Sequence, residues 1–180
     1  FGAQARGAGQ PVDVAALTAH CRQAQADLQA LVTQRLKEGL AEPAPDFAPH
    51  HKRHQDLQKQ FEIKTTQCRA ALRQAMSKGA PRLRQMVALD AALGQLLHER
   101  EQRLLGSVPV LLERQFQQRK QAHERQQVEA DTADDPSQWV QPGGWLHTFS
   151  QDHRDVLLAE LQQRWQPILG LLDAAQAAYP

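Results

Sequence analysis

From Val12 onward the apolar positions recur every three or four residues and never alternate with period two, which predicts helices throughout. Leu17, Cys21, Ala24, Leu28 and Leu31 draw one narrow seam. Asp13 is placed as its N-cap, with Val12 set to staple onto Leu17, and Gly39 as its stop. "LAEPAPD" is a proline-broken connection. A second helix is predicted from about Asp46 to Ser77. At about 100° per residue, Phe47, His50, His54, Leu57, Phe61, Cys68, Leu72 and Ala75 share one stripe, and Lys52, Lys59, Arg69 and Arg73 lie opposite. "SKGAP" closes it, with Gly79 just past its end and Pro81 opening the next helix, so the two form an antiparallel hairpin.

The third helix carries Leu83, Met86, Val87, Leu93, Leu97 and Leu104 on one face. "GSVP" interrupts it, yet Val108, Leu111, Leu112 and Phe116 keep the same angular phase. One long helix from roughly Pro81 to Gln127, kinked near Gly106–Pro109, is expected, because Pro109 cannot pair the carbonyl of Leu105. Residues 129–144 read as a mobile acidic loop, with Trp139 available to pin it. The last helix opens near Gly144, bears Leu146, Phe149, Val156, Leu157, Leu161, Trp165, Ile168 and Leu172, and should bend at Pro167. No repeat is detectable. The predicted fold is all-α: an elongated antiparallel bundle of about four long helices, with 1–12 as a flexible lead-in and 13–180 as a single domain.

Composition sharpens this picture in two ways. Apolar residues make up 41 % of the 180, but aromatics only 5 %, so the core is expected from Leu, Ala and Val. The net charge of +1 conceals two opposite blocks. Between His50 and Arg84, nine Lys/Arg face only Asp56 and Glu62, a formal charge of +7. From Asp131 onward, six Asp and Glu160 face Arg154 and Arg164, a formal charge of −5. Such asymmetry bears on partners, or on internal pairing. Cys21 and Cys68 form no metal or disulfide pattern and read as two small buried hydrophobes, which suits a reducing, cytoplasmic setting. No apolar run approaches the ~20 residues a membrane helix needs, so no direct membrane insertion is expected.

The candidate chemistry is sparse. His50 and His54, spaced i, i+4, could reach one ion with Asp46 or His153, but the pattern lacks the glutamate of zinc proteases; histidines on an apolar stripe more often bond their neighbours. No metal and no cofactor are expected. Asp90 stands in the middle of an apolar stripe and needs a partner, with His54 or Arg73 the candidates. Glu160 and Arg164 stand near the apolar face of the last helix. His50, His54, Asp90, Glu160 and Arg164 are therefore read as a buried polar network. Lys52, Arg53, Lys59, Lys64, Arg69 and Arg73 form an outward basic face, able to bind an acidic protein or phosphates. No aromatic is interleaved among them and no reader motif is present. Nucleotide-loop, hydrolase-elbow and metalloprotease motifs are absent from the sequence, so no enzyme is expected.

Three stretches carry a family resemblance: "DFAPHHKRHQDLQKQFE", "LRQMVALDAALGQLLHEREQRLLGSVPVLLERQF" and "GGWLHTFSQDHRDVLLAELQQRWQPILGLLDA". Together they resemble a proteobacterial helical family of unknown function encoded beside MotA-like and OmpA-like proteins. That family is similar to the ZorF accessory proteins of type III Zorya anti-phage systems. The resemblance implies a cytoplasmic, non-enzymatic accessory subunit whose partners are the MotA-like and OmpA-like membrane motor proteins or a companion effector. It brings no catalytic residues. With the basic face beside it, the expected function is docking by charged helix faces. The alternative is a DNA-binding effector that grips phosphates with the same face.

Overall fold

The computed structural model describes residues 12–178 and is all-α, without a strand among them. The elements are α1 (Val14–Ala41), α2 (Ala48–Ser77), α3 (Pro81–Leu105), α4 (Val108–Ala130), α5 (Pro136–Trp139) and α6 (Trp145–Ala178). The punctuation follows local chemistry. Asp13 caps α1, its Oδ1 accepting the Ala16 N–H at 2.9 Å. Gly79 donates to the carbonyl of Met76 at 3.0 Å, and Pro81 starts the next helix where its missing N–H costs nothing. α1 runs two residues past Gly39. The expected lead-in 1–12 lies outside the described residues, apart from Val12.

The long third helix is expected as one kinked rod, and it is two. Gly106 and Ser107 leave the helix, Pro109 sits in the first turn of α4, and the Ser107 carbonyl accepts the Leu111 N–H at 3.2 Å. Ser107 keeps right-handed helical angles (φ −85°, ψ −15°), which explains why the apolar phase survives the break. The acidic loop holds an extra short helix, α5. Asp135 caps it through the Ser137 N–H, and Trp139 is buried at its end. Gly144 is required here, since a Cβ would lie 2.3 Å from the Trp139 carbonyl oxygen.

The chain divides into two compact units made of alternating stretches. In the first (described residues 12–27, 61–102 and 162–178), Cys21, Phe61, Cys68, Leu72, Met76, Leu83, Trp165 and Ile168 are buried. Here the expected stripe of α3 fails beyond its first turn. Leu83 alone is buried, Met86 and Val87 are half-buried, and Leu93 and Leu97 are exposed, as is Leu104 further on. The cause is what α3 meets: Arg69 and Arg73 at Asp90, then Arg164 at Glu101. Its seam beyond Leu83 is polar, and the leucines beside it keep water.

The second unit holds residues 28–60 and 103–161. Its centre corrects the expectation of a Leu/Ala/Val core. Phe47, Phe116, Trp139, Trp145 and Phe149 gather with Leu112 and Leu146 in one buried cluster. Phe116 meets Phe149 edge-on at 5.1 Å and Trp145 at 5.2 Å, geometries that favour the ring quadrupoles. Aromatics are few in this chain, but most of them are concentrated here. Phe116→Ala should therefore lower unfolding free energy by about 3–5 kcal/mol, the cost of a large core cavity. Urea denaturation measures it, and a loss below about 1 kcal/mol would show the ring cluster to be peripheral.

Candidate interaction site

The histidine stripe of α2 turns inward as expected, with His50 4 % and His54 1 % exposed. His54 Nε2 lies 3.1 Å from Glu160 Oε1, and His54 Nδ1 lies 3.1 Å from His153 Nε2. Gln58 donates to the other oxygen of Glu160 at 2.9 Å. The His54–Glu160 approach is too bent for a good hydrogen bond, so it is a close polar contact between buried groups. Between two ring nitrogens one must donate and the other accept, so a single proton bridges His54 Nδ1 and His153 Nε2.

Two of these histidines resist charging. Burial, followed by the fields of His54, His50 and Arg53, lowers His153 to about 3. Burial and then Arg53 lower His50 to about 4, against a hydrogen bond to the Ala44 carbonyl. His50 packs edge-on to Phe149 at 5.4 Å and tilted to Phe116 at 5.2 Å, and its Nε2 has no partner among the described residues. The metal reading finds no support in this arrangement: Asp46 is exposed, the two nitrogens of His54 face different partners, and no three such ligands converge among the described residues.

The expected single polar network is in fact three separate pairings. Asp90 is held by Arg69 (Nη2–Oδ1 2.6 Å) and Arg73 (Nε–Oδ2 2.5 Å), not by His54. Burial alone would raise its carboxyl, but the hydrogen bonds from Arg69 and Arg73 outweigh that and hold it below the usual range. Arg164 pairs with Glu101 at 3.1 Å and not with Glu160. Cys21 and Cys68 lie side by side, and burial pushes the Cys21 thiol up to about 11 and raises Cys68, so both remain inert thiols. Nothing in their spacing announces that meeting.

These pairings divide the expected basic face. Arg69 and Arg73 are turned inward to Asp90, which removes them as free phosphate or partner ligands. Lys64 is exposed. Lys52, Arg53 and Lys59 instead line a groove of about 620 Å³ between the second half of α1 and the first half of α2. Leu31 and Leu57 lie in it, and Arg35, Glu38 and Asp56 complete its charged rim. Four cations thus face two carboxylates. Arg35 and Glu38 meet at 3.4 Å as a solvated pair of small worth. Arg53 is different. Its guanidinium lies against the backbone of α1 at Gly39, where a Cβ would sit 2.5 Å from its Cζ. Burial draws its pKa down against the field of Glu38, and it forms no ion pair or hydrogen bond among the described residues.

The acidic block does not fill this groove. Asp134 accepts from His123 at 2.8 Å and from the Trp139 indole at 2.7 Å, and both bonds keep its carboxyl below the usual range. Asp152 pairs with Arg119 and Gln115. Sequence reasoning missed Arg35 and Glu38, which stand on the polar flank of α1 with nothing to say which neighbour that flank meets. His153, considered only as a metal ligand, lies four residues after Phe149 and four before Leu157, the same stripe signal that placed His50 and His54 inward.

One protein-family model, described as Protein of unknown function (DUF3348), matches residues 10–177. No curated protein and no solved structure matches the chain.

The buried histidines fix the pH response. Between their folded values of about 3 and 4 and the ordinary histidine value of 6.5, the unfolded chain binds protons that the folded chain refuses. Stability is therefore complete above about pH 6.5 and falls as pH drops, with each histidine contributing up to about 1.4 kcal/mol per pH unit. Asp90, held low by its arginines, adds loss of the same sign at lower pH still. Thermal melts from about pH 7.5 to about pH 4.5 should show this fall, with a shallower slope in His153→Leu; a flat profile would contradict the neutral burial of His50 and His153.

Proposed function

We propose a docking role for this chain, which belongs to the DUF3348 family of proteins of unknown function. It acts as a non-enzymatic accessory subunit of a bacterial anti-phage defence system, in the cytoplasm, engaging a MotA-like membrane motor or a companion effector through a charged helix face. The carrying observation is the groove of α1 and α2, whose cations Arg35, Lys52, Arg53 and Lys59 outnumber the acids around them. The defence setting rests on the resemblance of the three quoted stretches.

Two further observations favour binding over catalysis. The clustered histidines and their glutamate, His50, His54, His153 and Glu160, are each at most 4 % exposed, which closes that cluster to a substrate. No helix among the described residues is long and apolar enough to cross a membrane, which fits a subunit that meets a membrane protein from outside the bilayer. A protein partner is favoured over DNA, because Arg69 and Arg73 are engaged with Asp90 and the groove cations are interspersed with Glu38 and Asp56, which repel phosphates.

Purified chain should bind the immobilised cytoplasmic segments of the neighbouring MotA-like protein or the companion effector. The double charge reversal Lys52→Glu/Lys59→Glu should weaken that binding at least tenfold. Unchanged binding by the double variant, at matched stability, would discard this face.

A further inference from the structure

We infer that the groove between α1 and α2 receives one particular kind of partner: an acidic amphipathic helix, seated lengthwise, with carboxylates reaching Arg53 and Lys59. This rests on the docking reading and specifies its ligand. Along α2 the groove runs from Pro49 to Gln60, a rise of about 16 Å at about 1.5 Å per residue. That is the length of roughly three helical turns, and two adjacent helices form the trough into which a third packs by its side-chain ridges.

The charges along this wall have a rhythm. Lys52 and Arg53 come first, Asp56 one turn later, and Lys59 one turn after that. A partner helix complementary to it carries an acid, then a base about one turn on, then a second acid about seven residues from the first. Arg35 on the opposite wall adds a second donor from α1, with Glu38 as its own weak counterion. Leu31 is half-buried and Leu57 buried beneath the rim, so the middle of the trough takes apolar side chains. An amphipathic helix supplies both features on one face, which an extended polyanion does not.

Arg53 is the anchor. Its guanidinium packs against Gly39 without an ion pair among the described residues, and the residue as a whole is half-buried. A planar guanidinium so placed offers a carboxylate two parallel donors at little further ordering cost. Gly39 is part of the device. A methyl there collides with the guanidinium and not with backbone, so Gly39→Ala displaces Arg53 while leaving the net charge unchanged and favouring the α1 helix.

The test is a fluorescence-anisotropy titration of the full chain with three labelled probes. They are a helical peptide with Glu at i and i+7, Lys near i+4 and leucines along the same face; a scrambled peptide of identical composition; and a short DNA duplex. The first peptide should bind at least tenfold more tightly than the others and gain helical circular dichroism on binding. Arg53→Gln and Gly39→Ala should each weaken it at least fivefold, and Lys59→Gln, at a solvated position, should do so to a smaller degree. Equal binding of the scrambled peptide would overturn the helix while leaving charge-driven docking standing. Tighter binding of the duplex would overturn the protein partner, and no loss with either Gly39→Ala or Arg53→Gln would overturn the anchor.

Discussion

A charge taken out of water must be matched, and that constraint organises this protein. It is met three times: at Glu160 by His54 and Gln58, at Asp90 by Arg69 and Arg73, and between Arg164 and Glu101. An unmatched charge in any of these places would cost several kcal/mol, a large share of what a small domain has to lose. The pairings do not decorate a finished hydrophobic core. At α3 they replace it, and that is why a helix rich in leucine has Leu83 as its one buried residue.

The same constraint sorts the chain's cations into two kinds. Those whose partners lie within the fold are structural, however exposed their sequence pattern makes them look. Those left without a buried partner are the ones the proposed docking role uses. Arg69 and Arg73 belong to the first kind, while Lys52, Lys59 and above all Arg53 belong to the second. The acidic block near the C-terminus is similarly divided: Asp134 and Asp152 are engaged locally, so they do not answer the groove. Of the six cations expected to face outward, three line one groove, two are tied to Asp90, and Lys64 is exposed outside it.

Much of this was legible before the fold. Helix starts and stops followed from Asp13, Gly79, Pro81 and Gly144, because caps and breakers act locally. The inward turn of His50 and His54 followed from their spacing to Phe47, Leu57 and Phe61. What periodicity could not supply was the identity of the element across each seam. It placed Leu93 and Leu97 on an apolar stripe but could not say that this stripe would meet arginines. It offered Asp90 either His54 or Arg73 on α2; Arg73 is there, His54 is not, and Arg69 one turn earlier was missed. It saw Arg53 as one of six outward cations, because its seat depends on Gly39, a residue from another helix.

The division between structural and available charge is open to one direct comparison. Neutralising the groove cations together (Arg35→Gln, Lys52→Gln, Arg53→Gln, Lys59→Gln) should leave the free energy of urea unfolding within about 1 kcal/mol of the parent, since charges without a buried counterion contribute little to stability. The single replacement Asp90→Asn, which leaves Arg69 and Arg73 without their shared counterion, should cost about 3 kcal/mol. If the fourfold variant proves the less stable of the two, the groove charges hold the fold together and the division between the two kinds of cation is false.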